Sequence, residues 1–122
     1  MQKIGDNICL DRKEDVSILF IKNNLSYQTA DEIKIVDKQI HGKKILIDLG
    51  QVKLTTSRGM ASLISLILDA HDRNQKVAIC NVSEMCMNII NAMDLIKHVP
   101  NLKIFDDLDD GLAYFRTIEN NL

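Results

Sequence analysis

Apolar positions recur every second residue in some stretches of the chain and every third or fourth in others, and the change of period lays out the elements in order. Residues 8–10 and 16–21 are short apolar runs divided by Asp11-Arg12-Lys13-Glu14-Asp15, which predicts a strand, a turn and a second strand. Val16, Ile18 and Phe20 share one face of the second run while Leu19 and Ile21 make the other face apolar, as in a strand covered on both sides. Thr29 followed by Glu32 matches a capping box, and Ala30, Ile33, Val36 and Ile40 continue at helical spacing until His41-Gly42. Residues 45–49 are apolar on both faces up to Asp48 and predict a core strand.

After a loop, Met60, Leu63, Ile64, Ile67 and Leu68 trace one helical stripe, widened by Ala61, Leu66 and Ala70, as far as Arg73. The polar positions of that helix, Arg58, Ser62, Ser65, Asp69 and Asp72, form one narrow line, so most of the helix is expected to be buried. Residues 77–80 predict another buried strand, and Ser83 caps a helix carrying Cys86, Ile89, Ile90 and Met93 that Pro100 ends. Ile104-Phe105 predicts a last strand. Asp106, Asp107, Asp109 and Asp110 then crowd the start of a final helix, whose dipole favours negative charge there, with Leu108, Leu112 and Phe115 inside. This alternation predicts an α/β fold, a mixed sheet of four or five strands with about four helices packed mainly on one side, in a single domain over residues 1–122.

Composition narrows the function classes. Fifteen basic and seventeen acidic residues leave a net charge of -2 without a basic block, so a nucleic-acid partner is not expected. No apolar run is long enough to span a bilayer and no secretory signal pattern opens the chain, so membrane insertion is not expected and a cytoplasmic location is. Cys9, Cys80 and Cys86 are odd in number and lie in apolar runs, which predicts reduced core thiols rather than disulfides or a zinc site. His41, His71 and His98 lie apart from any nucleophile, and the five glycines are too dispersed to cradle a phosphate. Neither catalytic residues, a metal nor a cofactor is expected.

The informative segment is the loop before the buried helix, where Thr55, Thr56 and Ser57 crowd the helix start ahead of Arg58 and Gly59. A serine at position 57 is placed to act as the N-cap, accepting from free amides of the first turn. A second role comes from likeness. Ile45-Leu46-Ile47-Asp48-Leu49 leading into Thr56-Ser57-Arg58-Gly59-Met60 resembles the strand and the Asp-Ser-Ser/Thr-Gly-Leu motif of the STAS family, the anti-sigma factor antagonist domains also found at the ends of sulfate transporters. Asn81-Val82-Ser83, Met93-Asp94-Leu95 and the segment from Asp106 to Ala113 are similar to the family's later pattern, and the likeness covers nearly the whole chain.

The resemblance implies a binding module rather than an enzyme, whose partner is an anti-sigma factor that is also a serine kinase, with Ser57 at the phosphorylated position. It also implies a contact surface made of the loop from Leu54 to Gly59, the strip Ser62, Ser65 and Asp69, and the turn holding Asn24 and Ser26. The chain is expected to be a monomer or weak homodimer. Two acids of the family pattern are replaced, one by Thr56 and one by Ser26, and the motif's second hydroxyl residue is Arg58. Either kinase recognition is lost and the chain binds constitutively, or Arg58 pairs with a phosphate on Ser57 and mutes the switch. The alternatives are an unphosphorylated adaptor subunit of a transport ATPase or a stressosome-like complex, and a receiver-like domain with Asp48 as phosphoacceptor. The receiver reading is short of the carboxylates that a Mg²⁺ site at neighbouring strand ends requires.

Overall fold

Three antiparallel strands, β1 (Gln2–Ile4), β2 (Ile8–Lys13) and β3 (Val16–Ile21), open the computed structural model, which describes residues 1–120. β4 (Lys44–Asp48), β5 (Lys76–Cys80) and β6 (Lys103–Phe105) then add in parallel, so the six strands lie side by side in sequence order. The helices α1 (Tyr27–Asp37), α2 (Ser57–Asp72), α3 (Glu84–Ala92) and the single turn α4 (Leu95–His98) form the connections, and α5 (Leu108–Asn120) follows β6. The predicted α/β class with a mixed sheet is the observed one, with six strands rather than four or five. The sequential order differs from the 2-1-3-4-5 order of doubly wound receiver-like sheets, so the receiver alternative does not describe this fold.

Side-chain alternation divides the interior in two. Leu19 and Ile21 of β3, Ile45 and Ile47 of β4, and Val77 and Ile79 of β5 face the larger cluster, which α1, α2, α3 and α4 cover. Val16, Ile18, Leu46, Ala78 and Cys80 face the smaller cluster under Leu112 and Phe115 of α5. Four helices on one face and one on the other is what burying both faces of β3, β4 and β5 requires.

Four boundaries differ from expectation. β2 and β3 run on to a tight turn, with Lys13 paired to Val16 and Glu14 left-handed at φ 59°, where a longer turn beginning at Asp11 was expected. α1 starts earlier, at Tyr27, so Thr29 is not its cap: the Thr29 hydroxyl donates to the Asn24 carbonyl at 2.7 Å, and Glu32 accepts from the Asn7 amide at 2.9 Å. α1 ends at Asp37, before Gly42, which is left-handed at φ 91° on the way into β4. α3 stops at Ala92, because Asp94 turns left-handed at φ 53° and starts α4; Met93 therefore leaves the core stripe and is 49% exposed. The strand β1 and the short α4 have too few buried residues, Ile4 and Leu95, to print a period on the sequence.

Gly59, in the first turn of α2, is buried where that turn crosses the backbone between β3 and α1. A methyl group there would lie 2.6 Å from the Leu25 carbonyl oxygen and 2.7 Å from the Ser26 nitrogen, and backbone cannot give way as a side chain can. Helix propensity alone favours alanine over glycine by about 0.8–1 kcal/mol. Overpacking against backbone costs about 1–3 kcal/mol and wins. Gly59→Ala is therefore expected to lower the urea midpoint, whereas Gly111→Ala, which meets only the side-chain tips of Leu46, should lower it less.

Candidate docking site

The loop after β4 is sewn to the turn after β3. Leu25 donates its amide to the Leu54 carbonyl at 3.1 Å, and its own carbonyl accepts from the Thr56 amide at 2.8 Å, a one-residue parallel bridge between Leu25 and Thr55. Asn24 adds a side-chain link, its Oδ1 accepting from the amides of Lys53 at 2.9 Å and Leu54 at 3.0 Å. The side chain of Asn24 is thus turned onto the chain's own loop.

The bridge decides which hydroxyl caps α2. It holds Thr56 extended, at φ -89° and ψ 164°, so that Thr56 Oγ1 accepts from the Gly59 amide at 3.0 Å. The cap is Thr56 and not Ser57, as the sequence suggested. Ser57 is instead the first helical residue, exposed, with its hydroxyl outside the cap. Thr55 is half-buried and its hydroxyl donates to the Thr56 carbonyl at 2.9 Å.

Beyond Ser57 the expected polar strip is present. Arg58, Ser65 and Asp69 are exposed, and half-buried Ser62 donates its hydroxyl to the Gly59 carbonyl at 2.7 Å. Ala61, expected in the apolar stripe, is exposed in this strip. Arg58 reaches Asp31 of α1 at 3.6 Å, with both side chains nearly two-thirds exposed, a weak pair in water. Between α1 and α2 lies a groove of about 380 Å³ on Ala30, Ile33 and Ala61, with Arg58 toward one end and Asp37 and Asp69 toward the other. Ser26, the residue before α1, is half-buried and shares a hydrogen bond with the Thr29 hydroxyl at 3.3 Å.

Beside Ser57 lies an apolar hollow of about 290 Å³, lined by Thr55, Thr56, Met60, Ile89 and Met93, that no local pattern of residues signals. Leu54 at 62% and Met93 at 49% are among the most exposed large apolar side chains, and both lie in the segments that border it. The early end of α3 could have been read from Met93-Asp94, since Asp tolerates the left-handed conformation better than most residues.

Asp48 lies apart from this face. By alternation it points to the α5 side of the sheet, and its Oδ1 accepts from the Gly50 amide at 2.8 Å and Asn81 Nδ2 at 3.2 Å, which makes it a loop-capping residue. Burial, with the carboxylates of Asp48 and Asp107, pushes the neighbouring Cys80 thiol up to about 12, and a thiol so protonated is a poor nucleophile at neutral pH. Among the described residues, no group of three or more His, Cys, Asp or Glu is gathered as a metal site needs, and no helix is long and apolar enough to cross a membrane.

Residues 7–111 match the family model of the STAS domain. No curated protein matches the chain in sequence. Among solved structures, a sulfate transporter family protein from Wolinella succinogenes is similar at 22% identity and TM-score 0.75, over 87% of this chain and 88% of that one. A putative anti-sigma factor antagonist from Thermotoga maritima is similar at 18% identity and TM-score 0.77, over 89% and 94%. The Bacillus cell fate determinant SpoIIAA in its phosphorylated form is similar at 11% identity and TM-score 0.66, over 88% and 98%. At these identities the likeness is one of fold.

The acidic end of the groove carries a pH dependence. A hydrogen bond with Asp37, followed by partial burial and the Asp37 charge, raises Asp69 above the ordinary 3.8, against a smaller opposing effect of Arg73. A carboxyl raised in the folded state favours folding while protonated, and that contribution is lost as pH rises through the folded value. Asp69→Asn keeps a hydrogen-bonding group without the charge. Its urea midpoint should exceed that of the unmodified chain at neutral pH, and the difference should vanish as pH falls below the ordinary carboxylate range, where the Asp69 carboxyl is protonated whether folded or unfolded.

Proposed function

The chain is a member of the STAS domain family, and from that premise we propose that it is a non-enzymatic regulatory module that docks onto an anti-sigma factor with serine-kinase activity. The observation that carries the reading is the placement of Ser57, an exposed hydroxyl on the first turn of a largely buried helix, released from capping by Thr56. Thr55, Arg58, Ser62, Ser65 and Asp69 extend the docking face along α2, and Ser26 borders it from the turn before α1. Such a partner puts the chain in the cytoplasm, and docking requires no cofactor. Support comes also from similar folds whose described roles are those of an anti-sigma factor antagonist and of a protein seen phosphorylated.

A phosphate on Ser57 would carry about -1.5 to -2 charges at neutral pH. At this position it would meet the positive end of the α2 dipole and the amides of Ser57 and Arg58, since those of Gly59 and Met60 are already bonded to Thr56. The domain therefore has no cause to unfold. The same dianion held against a dry contact, at the rim of the apolar hollow, would lose its hydration without a compensating partner, so modification abolishes docking rather than structure.

A second reading, an unphosphorylated adaptor in a transport ATPase or stressosome-like complex, is favoured by Thr56 and Ser26, which stand where the family pattern has acids, so that charges a kinase would recognise are missing beside Ser57. Phosphosite mapping on protein from its native cell separates the two: phosphate on Ser57 supports the switch, and its absence under all growth conditions supports the adaptor. For the switch, Ser57→Asp should weaken binding to the kinase by at least about tenfold, or ~1.4 kcal/mol, with little change in Tm. Unchanged affinity would remove Ser57 from the interface.

A further inference from the structure

We propose that Asn24 is the positioning residue that presents Ser57, acting through the loop it pins rather than by touching a partner. Its single side-chain oxygen accepts from two consecutive amides, those of Lys53 and Leu54, that are distant in sequence. An asparagine in a turn ordinarily bonds its own backbone a residue or two away. Here that local task falls to Asn23, whose Oδ1 accepts from the Asn24 amide at 2.8 Å, and the Asn24 carbonyl takes the Thr29 hydroxyl at 2.7 Å. Asn24 is thereby fixed at its amide, its carbonyl and its side-chain oxygen, and it joins α1 to the loop before α2.

What is pinned determines the pose of Ser57. Lys53 and Leu54 are exposed, so no packing holds their amides in place. Leu54 supplies the carbonyl that Leu25 bonds, and Thr56, whose amide donates the other half of the bridge to the Leu25 carbonyl, caps the helix that Ser57 begins. Without the Asn24 oxygen, two adjacent amides turn to water at the point where the loop enters the bridge. Ser57 then stays on α2, but the segment leading to it samples many poses, and a partner must order it on binding. The importance of that pose rests on the docking reading; the pin itself does not.

Amide hydrogen exchange on the full chain tests it, comparing Asn24→Ala with Asn24→Asp, which keeps the accepting oxygen. In Asn24→Ala, the bonded amides of Lys53, Leu54 and Thr56 should exchange at least about tenfold faster while those of β4 and β5 are unchanged, and Asn24→Asp should restore the slow rates. Unchanged rates in the alanine variant, an increase spread equally over β4 and β5, or no rescue by aspartate would overturn the proposal. If Asn24→Ala does not fold, the unmodified chain decides: Lys53 and Leu54 must exchange at least about tenfold slower than the free-peptide rate, and exchange at that rate contradicts the pin. Affinity of Ser57→Asp for the kinase reports on docking alone, so the two ideas fail separately.

Discussion

The two backbone hydrogen bonds made by Leu25, one given to Leu54 and one received from Thr56, fix everything that matters at the candidate site. They form one isolated parallel bridge after β3 and β4 have both ended, and so hold two loops that would otherwise diverge. Thr56 becomes extended and caps α2; Ser57 becomes the first helical residue; Gly59 is forced, because the helix crosses the Leu25 carbonyl with no room for a Cβ. A serine that would have spent its hydroxyl on the helix end is left facing water.

The face that results combines a rigid frame with unlike neighbours. On one side is the polar strip of α2, and on the other the apolar hollow edged by Met93, with the exposed Leu54 in the segment that leads to it. A neutral hydroxyl can be buried against a partner there at modest cost if it finds one hydrogen bond, whereas a phosphate dianion cannot. The proposed switch uses that asymmetry: a small modification would control binding while the core, anchored in the sheet well below the loop, is unaffected. Loops set on a rigid sheet are suited to this use, since their backbone is fixed by elements that the partner never touches.

Much of the fold was legible because β3, β4 and β5 are covered on both sides and α2 on most of its circumference, so their apolar periods are long and unbroken. The family likeness and the segment around Ser57 were legible for the same reason: they sit at the junction of the two clearest elements. What the sequence concealed was set by contacts between distant residues. Thr56 rather than Ser57 caps α2 because of a bond to Leu25, and Thr29 is no cap because its hydroxyl goes to Asn24. Asn24 itself read as a surface turn residue, since nothing local marks an oxygen aimed at Lys53 and Leu54. The hollow was hidden because Met60, Ile89 and Met93 fit a core stripe, and only the left-handed Asp94 lifts Met93 out of it.

Placing a photoreactive side chain at Leu54 or Ser65, and separately at Thr117 on the outer side of α5, and irradiating the native cell would identify the face that meets a partner. Leu54 and Ser65 should both capture one and the same protein of the serine-kinase anti-sigma type, and Thr117 should not. Capture through Thr117 with none through Leu54 or Ser65 would place the working surface on the opposite side of the sheet and contradict a docking role for Ser57.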